Sequence, residues 1–553
     1  MHTRKERYHL EIQTSRKSPV GLIRTTFWDK VTKSVRHTQV ARIKGYSLAQ
    51  LKILQRAFSG KVKPSGDPDA LHIADSRELG ASRLILELAK KLGLHRIIFS
   101  RTEPWVNCVL AMIVGRVVYQ GSKLSLCNRW QQSTLWELCG VEGRPEVDTH
   151  CYAPLDRLLE RQEAIQKKLA EQHLGDGSMI LYDITSTYFE GEYDRSELVK
   201  FGYNRDGKKG HEQVVVGLMT TAEGCPIGCE VFEGNTSDAT TVMDKIEEVR
   251  KQFGLDRFVF VGDRGMVTQG RFEEIRALGG INSISALTHA QLKKLLERDV
   301  IQPELFDEKV TIEVTDPEDG KLRYCLCKNP VTQKTEQETR KRLIELTIAG
   351  LQDIANYKQA TTVEILGARV GKLLAKYKVG KFVKWSVEAA KETGKKSRTH
   401  RLIWEIDHEK IAEEEKLDGC YIIRTDTAKN KLDTESVVAA YKSLGNVERA
   451  FRNLKTVQLE MRPVYHKTDK RIRAHVFLCT LAYYLQWHMQ QRLKPLFESD
   501  GESSDRCWTF ELVVDCLKQL GRHTVKMGEI QWQQDGEMND QQQRIYELIF
   551  QKT

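Results

Sequence analysis

No apolar run in this 553-residue chain approaches the roughly 20 residues needed to cross a bilayer, and the opening MHTRKERYHLEIQ lacks the short apolar core of a signal peptide. A soluble, cytoplasmic protein with no membrane partner is expected. Proline is scarce, at 12 residues, and 29% of positions are charged, which excludes collagen-like, low-complexity and disordered compositions. The 12 cysteines form no repeated CxxC pair: Cys325 and Cys327 make a single CxC, and Cys225 and Cys229 lie four apart. Reduced thiols are therefore expected in preference to a zinc site or a disulfide framework. What is present is an apolar fraction of 40%, enough for a substantial core. At roughly 100 to 200 residues per domain, the length predicts three or four folding units.

The net charge of +10 is unevenly placed. Residues 1–63 carry 15 Lys/Arg against Glu6, Glu11 and Asp29, an excess of +12, so the remainder is near neutral. A second basic stretch, residues 376–401, holds nine Lys/Arg against Glu388 and Glu392, with Trp385 and His400 interleaved. Concentrated positive charge attracts a polyanion, because each neutralised phosphate releases condensed counterions. Nucleic acid is the natural partner; a solvated surface is the alternative for either stretch taken alone.

Periodicity divides the chain. Short β-like runs at 8–12, 20–28 and 37–43 precede a helical pattern at 48–58, and residues 1–63 are read as a basic DNA-binding segment. Helices expected at 76–93, 104–119 and 147–173 make residues 64–175 a helical domain. The apolar stretch 105–121 carries Arg116 and reads as a buried core helix. From 178 the character changes. β-type runs at 179–191, 213–221 and 226–234 are followed by a helix at 238–253, a strand at 257–263, a helix at 268–278 and a strand at 281–287. This is the order of a mixed α/β sheet, and also of the ribonuclease H-like fold. Residues 176–288 are thus the first part of this α/β core and 289–415 an inserted subdomain containing a hairpin at 309–329 that turns at Glu-Asp-Gly. Residues 416–495 are the second part, with a strand at 419–426 and helices at 434–456 and 469–493, and 496–553 a helical tail. The fold class expected is α/β: a ribonuclease H-like mixed sheet flanked by helices, with a β-containing insertion and a largely helical N-terminal region.

Three acids carry the chemistry. Asp183 sits in LYDITSTYF, where a carboxylate without partners costs several kcal/mol, so it needs a metal, a base or solvent. Asp263 closes the apolar strand FVFVGD, at the C-terminal edge where α/β sheets place ligands. Glu448 lies on a helix with Tyr441 and Lys455 seven residues to either side, a stripe drifting only about 20° per step, with Arg452 at i+4. Tyr, Glu, Arg and Lys beside the apolar Val447, Phe451 and Leu454 present one acid among phosphate-binding groups. Two strand carboxylates and one helix carboxylate suit two divalent cations about 4 Å apart, as phosphodiester chemistry requires. Oxygen-only ligands favour Mg²⁺ or Mn²⁺.

The blocks DITSTYFEG around Asp183, GNTSD at 234–238, VGDRGM around Asp263 and YKSLGNVERAFRNLKT from Tyr441 resemble those of DDE transposases of bacterial insertion sequences, the group with a YREK signature. Tyr441, Glu448 and Lys455 match that signature, whereas Leu444 stands at its Arg position, for which Arg452 is a possible substitute. The resemblance covers about residues 178–490. It implies catalytic and metal-binding roles for Asp183, Asp263 and Glu448 with two Mg²⁺ or Mn²⁺ ions. It further implies cut-and-paste chemistry at terminal inverted repeats, a homodimer synapsing transposon ends with target DNA, and a bacterial, nucleoid-associated location. DNA contacts are expected from Tyr441, Arg452 and Lys455, and from Lys381, Lys384, Trp385, Lys395, Lys396 and Arg398 of the insertion. Tyr421 falls where relatives stack an aromatic ring on a flipped base, and equally reads as a core strand residue. Lys470, Arg471 and Arg473 either reach phosphates or cap the helix beginning there. A structure-selective nuclease and a non-catalytic DNA-binding derivative are the competing readings.

Overall fold

The computed structural model of the chain describes residues 7–14, 18–29, 33–59, 72–205, 207–208, 210–356, 362–389, 400–462, 464–498, 508–527 and 530–550. Two compact units form, one from residues 1–77 and 521–536, the other from 78–520 and 537–553.

In the first unit, β1 (Arg7–Gln13), β2 (Val20–Asp29) and β3 (Ser34–Ile43) make an antiparallel sheet in sequence order. A helix, Leu48–Phe58, follows, started by a reciprocal cap in which Ser47 and Gln50 satisfy each other's backbone N–H groups. Its buried Leu51 and Leu54 pack with Leu10, flanked by Ile12, Ile23, Ile43, Met527 and Ile530. Most of β3 is exposed on both faces. A second three-stranded sheet joins β4 (His72–Glu78) to Gly521–Met527 and Ile530–Asp535 from the far end of the chain. The stretch expected as a helical tail therefore contains two strands, between the helices Phe510–Lys518 and Asp540–Phe550.

The second unit contains, in chain order, β5 (Met179–Tyr188), β6 (Gln213–Thr221), β7 (Pro226–Glu233), β8 (Phe258–Gly262), β9 (Ile281–Ala286), β10 (Ile312–Thr315), β11 (Arg323–Lys328), β12 (Val383–Ala389), β13 (His400–Ile406) and β14 (Cys420–Thr425). All but β12 and β13 form one eight-stranded sheet in the order β10-β11-β14-β9-β8-β5-β6-β7. β5, β6 and β7 are an antiparallel meander, and β8 and β9 run parallel to β5. A three-strand meander flanked on its first strand by two parallel strands is the ribonuclease H-like arrangement expected from the element order. β6, QVVVGLMTT, is buried along its whole length, as a central strand covered on both faces must be.

Alternation along β5 sorts the two faces. Ile180, Tyr182 and Ile184 enter a core with Phe258, Phe260, Ile246 and Phe272, under the helices Val242–Lys251 and Gln269–Ala277. Leu181 enters the larger core on the other face, with Val261, Val447, Phe451 and residues of the long helix Asp469–Arg492. That core also holds the helices Gly80–Lys91, Pro104–Val118 and Ala153–Glu160. Arg116, near the end of the apolar helix, is buried and donates to the carbonyls of Leu459 and Glu460. Among the described residues no helix is long and apolar enough to cross a membrane.

The segment expected as one insertion divides. Its hairpin, β10 and β11, turns near Glu318–Gly320 and extends the main sheet through β11–β14 pairing. The helices Pro330–Ala355 and Val363–Tyr377 with the hairpin β12–β13 have a core of their own, centred on Leu351, Val370, Leu374, Phe382 and Leu402. β11 is buried from Arg323 to Cys327, which a strand at the edge of a separate subdomain would not be.

Candidate active site

The register of β5 and β8 places the first two acids. Tyr182 pairs with Gly262 in parallel alignment, so one residue further on Asp183 and Asp263 leave neighbouring strands about 4.8 Å apart, on the face opposite Tyr182. That face is covered by the helix Leu444–Arg452, anchored through Val447, Ala450 and Phe451, with Glu448 exposed on its flank. Asp183 is half-buried and Asp263 exposed. The Asp183 carboxyl is pushed up to about 7, first by burial and then by the negative charges of Asp263 and Glu448. The Ile184 N–H, 2.8 Å from Asp183 Oδ1, and the Arg205 guanidinium act in the opposite direction. The three acids thus share one field. They do not form a closed cage: among the described residues, the set of three whose ligand atoms all lie within 4.8 Å of one another is His173, Cys225 and His488. An oxygen-only donor set in which burial and then like charges raise one carboxyl fits a hard divalent cation, which would offset both.

The surrounding chain fixes these acids. Gly262 leaves little room for a side chain: a Cβ there would lie 3.0 Å from Val267 Cγ2, because the loop turns back on itself with Met266 and Val267 N–H groups donating to the Asp263 carbonyl at 3.0 and 3.1 Å. Arg424, fully buried on β14, grips the same loop. It donates to the Val267 carbonyl at 3.2 Å and to Gln269, and its guanidinium carbon lies 3.8 Å from the Phe272 ring centre. Burial pushes that guanidinium down to about 10. Tyr441 donates its hydroxyl to Asp263 Oδ1 at 3.2 Å, and Lys455, buried, donates to Thr185 Oγ1 at 2.6 Å. Thr185 lies two residues beyond Asp183, on the same face of β5. Tyr441 and Lys455 therefore reach the site from one end each of the Glu448 segment.

That segment is not the single helix expected over 434–456. It runs as Thr434–Lys442, then Leu444–Arg452, then a widened π-type turn Asn453–Val457. Leu444 is buried in the core, so its position offers nothing to a phosphate, whereas Arg452 is exposed. Arg205 is the residue that sequence reading missed. Its guanidinium contacts Asp238 of the GNTSD block, and its N–H donates to Ser186 Oγ at 3.0 Å. A Cβ on Gly265 would lie 3.7 Å from Asp238 Oδ2, so GNTSD abuts the loop after Asp263. Arg205 lies in irregular chain between β5 and β6, where no period marks it. The only signal is the Gly- and Lys-rich run FGYNRDGKKGH between two strands.

Residues 176–485, more than half of the chain, match the family model described as Transposase DDE domain. The chain belongs to that family. The three acids, Arg205, Asp238, Arg424 and the helical insertion of this DDE transposase all lie inside the matched span. The family's enzymes cleave and rejoin phosphodiesters and generally use divalent metal ions. No curated protein sequence matches the chain. Among solved structures, the cryo-EM structure of a piggyBac transposase synaptic complex with hairpin DNA is similar at 8% identity and a TM-score of 0.37, covering 80% of each chain.

The transposase's other expected DNA contacts lie in varied settings. Tyr421 is half-buried on β14 opposite Cys327, packed against the larger core, and its charge reaches the Tyr441 hydroxyl. Lys381 pairs with Glu414 at 2.7 Å and Lys384 with Asp407 at 3.0 Å. Trp385 faces Trp404 across β12–β13 and is 39% exposed. Lys395, Lys396 and Arg398 lie outside the described residues. Lys470 reaches Glu160 at 3.4 Å, Arg471 pairs with Asp156 at 2.7 Å, and Arg473 donates to the Val231 carbonyl, so all three brace the long helix to its neighbours. Beyond the end of β5, where Arg462 stacks on Tyr188, a recess of about 540 Å³ is lined by Arg116, Lys123, Arg462, His466 and His475. Lys123 donates to both imidazoles, and burial followed by the Arg116 charge pushes its amine down to about 7.

Proposed function

We propose that this DDE transposase cuts DNA at the terminal inverted repeats of a bacterial insertion sequence of the YREK group and joins the freed 3′-OH to target DNA in a cut-and-paste reaction. Asp183, Asp263 and Glu448 hold two Mg²⁺ or Mn²⁺ ions. The observation that carries this reading is the Asp183 carboxyl, raised to about 7 by burial and by two acids that arrive from a neighbouring strand and a distant helix. Cations held by these three carboxylates would supply charge to activate a water or hydroxyl and to stabilise the leaving oxygen of a phosphodiester.

The chain's own groups do the positioning. Tyr441 holds one oxygen of Asp263 and leaves the other for a ligand. Lys455, through Thr185, keeps a positive charge beside the strand that carries Asp183. Exposed Arg452 meets a backbone phosphate, and Tyr421 stacks on an unpaired base. Asp263 and Glu448 are exposed beside the half-buried Asp183, an open site that suits a duplex. A homodimer brings two ends together.

The test uses full-length protein, Mg²⁺ and labelled DNA carrying the sequence that flanks its gene. Asp183→Ala, Asp263→Ala and Glu448→Ala each lower cleavage by at least about 10³-fold, the scale of removing a key group in a catalytic centre, with end binding within about twofold of wild type in a gel-shift titration. Joined products mark a transposase. Cleavage without joining would point to a structure-selective nuclease, and retained cleavage in the Asp263→Ala variant would overturn the assignment of the acids.

A further inference from the structure

A second polar cluster lies away from the three acids. His173 ends the helix Gln162–His173, Cys225 closes the tight turn between β6 and β7, and His488 lies on the long helix Asp469–Arg492. Each offers one ligand atom, and the three atoms lie within 4.8 Å of one another. Cys225 is 1% exposed, within the larger core. His488 Nε2 is buried with no hydrogen-bond partner, an unusual state for an imidazole nitrogen inside a protein. His173 Nε2 is 3.0 Å from the Tyr484 hydroxyl, the kind of outer hydrogen bond that orients a metal-bound imidazole. The rings are mutually packed: His173 and His488 centres are 5.5 Å apart, and Tyr484 and His488 centres 4.5 Å.

We propose that His173, Cys225 and His488 bind one zinc ion, as a structural site separate from the catalytic acids. Two imidazole nitrogens and one sulfur are a borderline-soft set that suits zinc and disfavours magnesium. Tetrahedral bonds of about 2.0 to 2.3 Å set ligand atoms roughly 3.3 to 3.7 Å apart, so modest side-chain rotation closes the site. As the sulfur–metal bond forms, the thiol proton passes to solvent. Water, or the carboxylate of Glu223 two residues before Cys225, completes the shell; its charge acts on both His173 and Cys225.

The site's place in the fold gives it a task. Gly224, at φ +89°, brings the turn so near the Glu448 helix that a Cβ there would lie 2.9 Å from Asn446 Cβ. Asn446 donates to the Ala222 carbonyl at 3.0 Å, and Trp487 donates to the Glu223 carbonyl at 3.3 Å. Zinc would lock this turn to the long helix and so steady the helix that carries Glu448.

The experiment titrates Co²⁺ into full-length, chelator-treated protein. One equivalent is expected to give a thiolate-to-cobalt charge-transfer band and tetrahedral d–d bands, which zinc erases. Cys225→Ser removes the charge-transfer band and Cys420→Ser, at the half-buried thiol of β14, leaves it. Cobalt held by the catalytic carboxylates gives no such band, so the outcome is independent of the catalytic reading. X-ray absorption at the zinc edge of wild-type protein decides the matter even if Cys225→Ser does not fold: one sulfur and two imidazole nitrogens support the site. Absence of the band, its persistence in folded Cys225→Ser, or any other ligand set overturns the proposal.

Discussion

Asp183 costs the fold stability at neutral pH. Its carboxyl titrates near 7 in the folded chain against 3.8 for an ordinary aspartate. Below 3.8 folded and unfolded chains are both protonated there and the residue is neutral to stability. As pH rises towards 7 the unfolded chain ionises first, so stability falls across that window and the full cost applies above it. Asp183→Asn, which mimics the protonated form, is expected to be more stable than wild type at pH 8 by on the order of 2 kcal/mol in a chelating buffer, and equal to it at pH 3.5. Urea unfolding at the two values checks this; equal stability at both would mean that neither burial nor the neighbouring acids raise the Asp183 carboxyl. Divalent cations should shrink the difference at pH 8 by stabilising wild type alone.

At the scale of elements, the heptad of Tyr441, Glu448 and Lys455 serves a broken helix. The break near Ser443 and the wide turn after Arg452 let Tyr441 meet Asp263 and Lys455 meet Thr185 while the charge of Glu448 reaches Asp183. Leu444 illustrates the constraint. It occupies the Arg place of the signature but points into the core. Leu444→Arg is therefore expected to cost about 2 kcal/mol, the worth of a buried leucine, and to leave DNA affinity unimproved, as urea unfolding and gel shift would report. A gain in affinity without loss of stability would show that the position faces DNA after all. The same scale explains the divided insertion. The Glu-Asp-Gly turn announces a hairpin, but β10 and β11 have no periodic feature that names β14 as their partner.

Over the whole molecule, the net positive excess lies on the first unit, where β3 is exposed on both faces and carries Arg42 with Lys44 just beyond it. In the insertion, Lys381 and Lys384 are met by Glu414 and Asp407. Non-specific DNA affinity should accordingly depend more on the first unit. Arg42→Ala combined with Lys44→Ala is expected to lower the slope of log affinity against log salt by about 2, at roughly 0.9 per phosphate contact. Fluorescence anisotropy across a salt series measures it. An unchanged slope would place the polyanion elsewhere, with the recess around Lys123 the next surface to alter.

The order of strands and helices in the core and the helical stretch before it were legible along the chain, because period-2 and period-3.6 patterns are local properties. Local pattern also marked Arg116 as belonging to a buried helix. What only tertiary structure decided is everything that depends on pairing between distant segments. It decided the placement of β14 between β9 and β11, and the return of residues 521–536 to the first unit. It also decided the meeting of Arg205 with Asp238, the grip of Arg424 on the Asp263 loop, and the gathering of His173, Cys225 and His488. These residues are separated by up to hundreds of positions, and their proximity is created by burial and register, neither of which one stretch of sequence contains.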